Sequence, residues 1–150
     1  MKALLQRVLK ASVSIAGELV GSIDRGLVVF IGVADGDTER DAQYLMQKVV
    51  NLRVFNDAED KFNLSVQDIE GELLLVSQFT LLADTRKGRR PSFIDAAPPD
   101  RAEALFDYSV ELAGATGLKV ATGRFQQYMQ VEIHNDGPVT VMLDSRDKFG

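Results

Sequence analysis

Two unbroken aliphatic runs limit what this chain can become. Gly26-Leu27-Val28-Val29-Phe30-Ile31-Gly32-Val33 carries no polar side chain, and Leu73-Leu74-Leu75-Val76 follows Gly71-Glu72 in the same manner. A strand with one wet face alternates apolar and polar residues, whereas a strand without alternation is covered on both faces. The first run therefore predicts a central strand and the second a buried one. Between them, Thr38-Glu39-Arg40-Asp41 has the pattern of a capping box. Ala42, Leu45, Met46 and Val49 then recur at helical spacing, predicting one amphipathic helix to about residue 52.

The flanking segments read as hairpins and one more helix. Residues 2–9 and 11–16, with turn signals at Gly17-Glu18 and Gly21-Ser22, predict two or three antiparallel strands. Arg53-Val54-Phe55 is extended, residues 56–61 turn, and Phe62–Val66 is a short segment before a strand running from Leu73 to Leu82. Asp100-Arg101-Ala102-Glu103 caps a second helix that buries Ala102, Leu105, Phe106 and Leu112 and ends at Gly114 and Gly117. Lys119–Thr122, Met129–His134 and Val139–Leu143 predict strands, with residues 135–138 interrupting the last two and residues 144–150 left as a frayed tail. The expectation is a mixed α/β fold: a largely antiparallel sheet, layered or barrel-like, with two packed helices, in a single domain over residues 1–150.

Composition removes several kinds of chemistry. There is no cysteine and one histidine, His134, so thiolate catalysis, disulfides and His-cluster metal sites are out of reach. No Walker-type or dinucleotide glycine loop is present, and no cofactor or metal is expected. The turn carboxylates Asp57, Glu59 and Asp60 read as solvated before they read as a cation site. No apolar run approaches a membrane span or a signal peptide, so no membrane partner and a cytoplasmic location are expected. A net charge of -5 argues against a protein that coats nucleic acid, and no DNA partner is expected.

Three stretches remain as candidates for chemistry. At Ser77-Gln78-Phe79-Thr80-Leu81 the buried run turns polar, offering two hydroxyls and a carboxamide around a phenyl ring. Strand ends are where a scaffold presents function, although a polar strand end also satisfies its own backbone. Gly137-Pro138, flanked by Asn135, Asp136 and Thr140, is either a plain turn or a device that aims backbone oxygens at a ligand, since an X-Pro bond can be cis. Arg86-Lys87-Gly88-Arg89-Arg90 is the densest basic run, lying in a long connection over residues 83–99. It is either solvated or a phosphate contact.

With these residues in place the chain resembles the D-aminoacyl-tRNA deacylases. The resemblance rests on Gln6-Arg7-Val8 with Ala11-Ser12-Val13, Gly26-Leu27-Val28-Val29, Ser77-Gln78-Phe79-Thr80-Leu81, Gly88-Arg89-Arg90-Pro91-Ser92-Phe93, Pro99-Asp100-Arg101-Ala102-Glu103 and Asn135-Asp136-Gly137-Pro138-Val139-Thr140, in family order. One departure is Gln126-Gln127-Tyr128, where the family often carries small residues.

The resemblance implies a homodimer that hydrolyses the ester between a D-amino acid and the 3′-terminal adenosine of tRNA. Glycine is implied as a second substrate. It implies that Gly137-Pro138 is cis and enters the partner's pocket, holding the α-amino group so that an L side chain has no room. Arg7 would steady that element. Ser77, Gln78, Phe79 and Thr80 would line the pocket, with Met129 on its wall. Arg86, Lys87, Arg89 and Arg90 would meet tRNA phosphates. An aminoacyl ester is already activated, so positioning and oxyanion stabilisation matter more than a strong nucleophile. The resemblance offers Thr80 as nucleophile, yet it has no evident base beside it. A water assisted by the terminal 2′-hydroxyl, with charge stabilised by the Gln78–Phe79 backbone and the Gln78 side chain, is the mechanism expected here. The rivals are a noncatalytic RNA-end or nucleotide binder and a small-ester hydrolase.

Overall fold

The computed structural model describes all residues from Met1 to Gly150. The predicted central strand is β3 (Gly26–Gly32), paired antiparallel with β1 (Lys2–Ile15) and parallel with β6 (Glu72–Ser77). β1 also pairs along its length with β8 (Gln130–Asp144), and its C-terminal half pairs with β2 (Glu18–Ile23). β6 adds the short parallel strand β7 (Val120–Thr122). The sheet curls until β2 meets β7, where Gly21 lies against the Thr122 carbonyl. The result is a nearly closed, barrel-like sheet. β4 (Phe55–Asn56) and β5 (Phe62–Leu64) form a separate small ribbon.

Alternate residues of the central strands feed two cores. Leu27, Val29 and Ile31 of β3 and Leu73 and Leu75 of β6 pack in the larger core with α1 (Glu39–Asn51) and α2 (Pro99–Gly114). Val28, Leu74 and Val76 point the other way, into a smaller core with Val8, Ala11 and Val13 of β1. This two-sided burial is why neither run alternates in polarity. β1 changes sides partway: Ala3 and Leu5 serve the first core, Ala11 and Val13 the second. The bulges around Val8 make the change, because one residue of register slip flips every later side chain.

The first helix is as expected, with Asp41 accepting from the Thr38 N–H at 2.9 Å and Ala42, Leu45, Met46 and Val49 buried. Four expectations change. Residues 2–15 are one strand, because the bulges bend β1 without ending it. The strand read from Leu73 to Leu82 stops at Ser77, and Phe79–Leu82 form a 3-10 turn that buries Leu82. α2 begins two residues early, at Pro99 rather than after an Asp100 cap, with no side-chain cap; proline's fixed φ suits the first helical position. Residues 130–144 form a single strand, from which residues 136–138 bulge without breaking it.

The C-terminal segment is ordered where a frayed tail was expected. Arg146–Phe149 make one helical turn, α3, with Phe149 against Tyr44 and beneath the Arg40 guanidinium. Ser145 is fully buried: it accepts from the Met1 ammonium at 2.9 Å and donates to the Asp41 carboxylate at 2.6 Å. Burial alone would raise the Asp41 pKa. The hydrogen bonds from Ser145 and Thr38, with the nearby ammonium, bring it below the usual carboxylate value.

Candidate active site

The polar break after β6 opens onto a cavity of about 580 Å³. Ser77, Gln78 and Phe79 line one side, Ala96, Ala97, Pro99 and Ala102 a second, and Phe125 to Met129 a third. Ten of its fifteen lining residues are hydrophobic, the balance of a small-molecule site with a few orienting polar groups. A larger hollow of about 750 Å³ lies over α1 between Tyr44, Lys48, Arg53 and Lys148, and holds none of the candidate residues.

The backbone at the mouth has donors to spare. Gln78 N–H still bonds the Ile31 carbonyl at 2.8 Å, and Leu81 N–H bonds the Gln78 carbonyl at 3.2 Å. The N–H groups of Phe79 and Thr80, between them, donate to no protein group. Phe79 lines the cavity, whereas Thr80, expected on its lining, stands next to it outside. Two adjacent free amides are a donor pair of the kind that stabilises a developing oxyanion. The Thr80 side chain is exposed, and its hydroxyl accepts a hydrogen bond from the Gln78 amide. A carboxamide N–H cannot take a proton, so nothing in this pair turns the hydroxyl into a nucleophile. Phe79, 56% exposed, stands edge-on to Phe93 at 4.9 Å between ring centres, tying the 3-10 turn to the long connection.

Arg7, Gly137 and Pro138 do not line this cavity; they form a second constellation. β8 covers Asn135 to Thr140 while β1 covers only Val8 to Gln6, so the surplus residues Asp136, Gly137 and Pro138 bulge from the sheet. The Gly137-Pro138 bond is cis, and both residues are exposed. Asn135 closes the base of the bulge, donating to the Arg7 carbonyl at 2.9 Å and the Val139 carbonyl at 3.0 Å. Arg7 is buried below it. Its Nη1 donates to the Val54 carbonyl at 2.9 Å and to Asn56 Oδ1 at 2.7 Å, and its guanidinium lies 5.5 Å from the Phe62 ring centre. Its Nε sits 3.1 Å from the Asp136 carboxylate but off the line of a hydrogen bond, so that contact is an ion pair. Gly137 has φ +117, and a Cβ there would meet Arg7 Nη2 at 3.1 Å and Val139 Cγ2 at 2.9 Å. Only glycine fits.

The basic connection is pinned at both ends. Asp84 and Ser92 exchange backbone hydrogen bonds at 2.8 and 2.9 Å, and Asp35 N–H bonds the Asp95 carbonyl at 2.9 Å. Ala97 N–H bonds the Val33 carbonyl at 3.0 Å, carrying the chain to the cavity wall. Arg86 is already taken: its guanidinium forks onto Asp84 at 2.9 and 2.7 Å. Those hydrogen bonds, with that of the Arg86 backbone N–H, hold the Asp84 carboxyl at about 2. Lys87, Arg89 and Arg90 are exposed and enter no ion pair.

His134 is exposed on β8 opposite Lys10. Asp57 accepts from the Glu59 and Lys61 N–H groups of its own turn. Sequence reasoning missed the walls at Ala96, Ala97, Pro99 and Ala102, because small apolar residues carry no chemical signal. It also missed the Asp84–Arg86 fork, which the Asp-x-Arg spacing in a loop does signal.

The family described as D-Tyr-tRNA(Tyr) deacylase matches residues 4–144. A D-aminoacyl-tRNA deacylase of Dehalococcoides mccartyi is 60% identical over 149 residues, covering 99% of this chain and 97% of that protein. One of Caldicellulosiruptor saccharolyticus is 54% identical, covering 99% and 100%. A solved structure titled c-Myc DNA Unwinding Element Binding Protein superposes with TM-score 0.91 at 42% identity, covering 96% of this chain and 98% of that one. A probable eukaryotic D-amino acid tRNA deacylase superposes with TM-score 0.82 at 20% identity, over 95% and 97%, and speaks for the fold alone. No helix is long and apolar enough to cross a membrane. With a family match from β1 to the end of β8, the chain belongs to the D-Tyr-tRNA(Tyr) deacylase family.

Proposed function

We propose that this protein hydrolyses the ester between a D-amino acid and the 3′-terminal adenosine of tRNA, sparing L-aminoacyl-tRNA, as a cytoplasmic homodimer. The observation that carries the chemistry is the cavity after β6, with a free amide at Phe79 on its lining, a second at the adjoining Thr80, and no acid–base pair. An activated ester needs little more: the Phe79 and Thr80 N–H groups receive the oxyanion, Gln78 and Ser77 orient the ester, and a water activated by the terminal 2′-hydroxyl attacks the carbonyl. The C–O bond to the ribose breaks, and the departing 3′-oxygen takes the proton.

Chiral selection belongs to the bulge. In this reading the Gly137-Pro138 element of one subunit enters the cavity of the other, and its carbonyl oxygens hold the substrate ammonium. An L side chain then collides with the wall, whereas glycine, with no side chain, is hydrolysed as well. The exposure of the bulge and the bracing beneath it by Arg7 and Asn135 support this role. Lys87, Arg89 and Arg90 flank the path of the incoming phosphates.

The test is amino-acid release from D-Tyr-tRNA and L-Tyr-tRNA by purified protein. Loss of the D ester alone is expected. Equal loss of both overturns chiral selection. Retained binding with no release favours a nucleic-acid-end binder, the reading nearest to the DNA-binding title of the 42%-identical structure.

A further inference from the structure

Building on the deacylase reading, we infer that Tyr128 is a stacking platform for the base of the nucleotide preceding the terminal adenosine. Tyr128 is 94% exposed and lies on the cavity rim beside Gln127 and Met129. A single exposed aromatic ring is ordinary on a protein surface; what distinguishes Tyr128 is that its ring stands on the rim of the cavity, where a ligand that overfills the cavity must pass.

The turn that carries Tyr128 is built, not loose. Gln127 N–H bonds the Arg124 carbonyl at 3.2 Å, and Arg124 N–H meets the Met129 sulfur at 3.4 Å. Gln126 adopts φ +62, a left-handed conformation that non-glycine residues seldom take. The Met129 sulfur fills the space a Cβ at Gly123 would need. Directly after it, Gln130 pairs with Ser14 and starts β8. The ring is thus presented from a braced turn between two strands.

Size sets which base it meets. A cavity of about 580 Å³ is of the scale that encloses one drug-sized ligand, here an aminoacylated adenosine. The next nucleotide of the CCA end has to lie outside, on the rim. Aromatic stacking suits it, because every base offers a π-face and the end is the same in all tRNAs. Arg124, exposed on the same turn and outside every ion pair, stands ready for the intervening phosphate.

The experiment compares substrates with and without that nucleotide. For Tyr128→Ala, kcat/KM on D-Tyr-tRNA is expected to fall about tenfold through KM, within the range of base–aromatic stacking. On D-tyrosyl-adenosine it is expected to be unchanged, and Tyr128→Phe should behave as wild type on both. Binding without turnover is read by calorimetry: Tyr128→Ala should lose about tenfold in affinity for the trinucleotide CCA and nothing for adenosine. Equal losses on the two substrates would place Tyr128 inside the pocket and overturn the proposal. An unchanged CCA affinity would overturn it too. Failure of the deacylase reading shows separately, as wild-type protein that releases no amino acid from D-Tyr-tRNA.

Discussion

The cavity after β6 and the bulge of β8 are opposites in construction. The cavity is concave, walled by apolar side chains from three separate segments, with its free hydrogen-bonding capacity in the backbone of Phe79 and Thr80. The bulge is convex and exposed, yet braced underneath by one buried arginine and one asparagine that reach the β4–β5 ribbon and both sides of β8. A hollow with spare donors receives a ligand; a stiff projection fills or shapes someone else's hollow. Neither region alone holds all the residues implied by the family, which is why the proposed active site draws one from each subunit.

The largest effect should come from disturbing the projection. Gly137→Ala places a methyl against Arg7 and Val139 at a φ that L residues avoid. Deacylation of D-Tyr-tRNA is expected to fall about a hundredfold, the scale of a misplaced positioning group. Arg7→Ala removes the donor to the Val54 carbonyl and the partner of Asp136. A loss of about 2 kcal/mol is expected, read as a drop of several degrees in the thermal midpoint. If Gly137→Ala leaves discrimination and rate intact, the bulge is an ordinary turn.

Next in size is the basic connection. Replacing Lys87, Arg89 and Arg90 together by alanine should weaken tRNA use at physiological salt. Each lost phosphate contact should lower the slope of log K against log salt by about 0.7. A wild-type enzyme indifferent to salt would remove RNA phosphates from the picture and favour a small-ester hydrolase.

A smaller effect is expected at the turn beside the cavity. Thr80→Ala removes a hydroxyl that only accepts from Gln78, so single-turnover rates should drop less than about tenfold, far short of the loss of a nucleophile. Abolished turnover with tRNA binding intact would make Thr80 the nucleophile and displace the water mechanism.

The smallest concerns the Asp84–Arg86 fork. Asp84→Asn frees Arg86 and should steepen the salt dependence slightly. Because the folded pKa of Asp84 is depressed to about 2 from 3.8, its contribution to stability is complete above pH 4 and lost as pH falls through about 2. Activity profiles above pH 5 should therefore show no step from this group.

Much of the interior was legible in the chain itself. Gly26–Val33 and Leu73–Val76 became the two-sided strands they promised, and Ala42, Leu45, Met46 and Val49 became the buried face of α1. The polar break at Ser77 marked the cavity. These features rest on periodicity and on the cost of burying polar groups, which act between near neighbours and are written locally. What required the tertiary structure depends on partners far apart in sequence. Only the register of β1 against β8 shows that residues 130–144 are one strand with an extruded loop, and only the fold brings Arg7 to Asp136. The segment after Asp144 is ordered because the Met1 ammonium and Asp41 meet at Ser145. Residue type fixed which groups want burial or a counter-charge; three-dimensional register decided which partner each of them found.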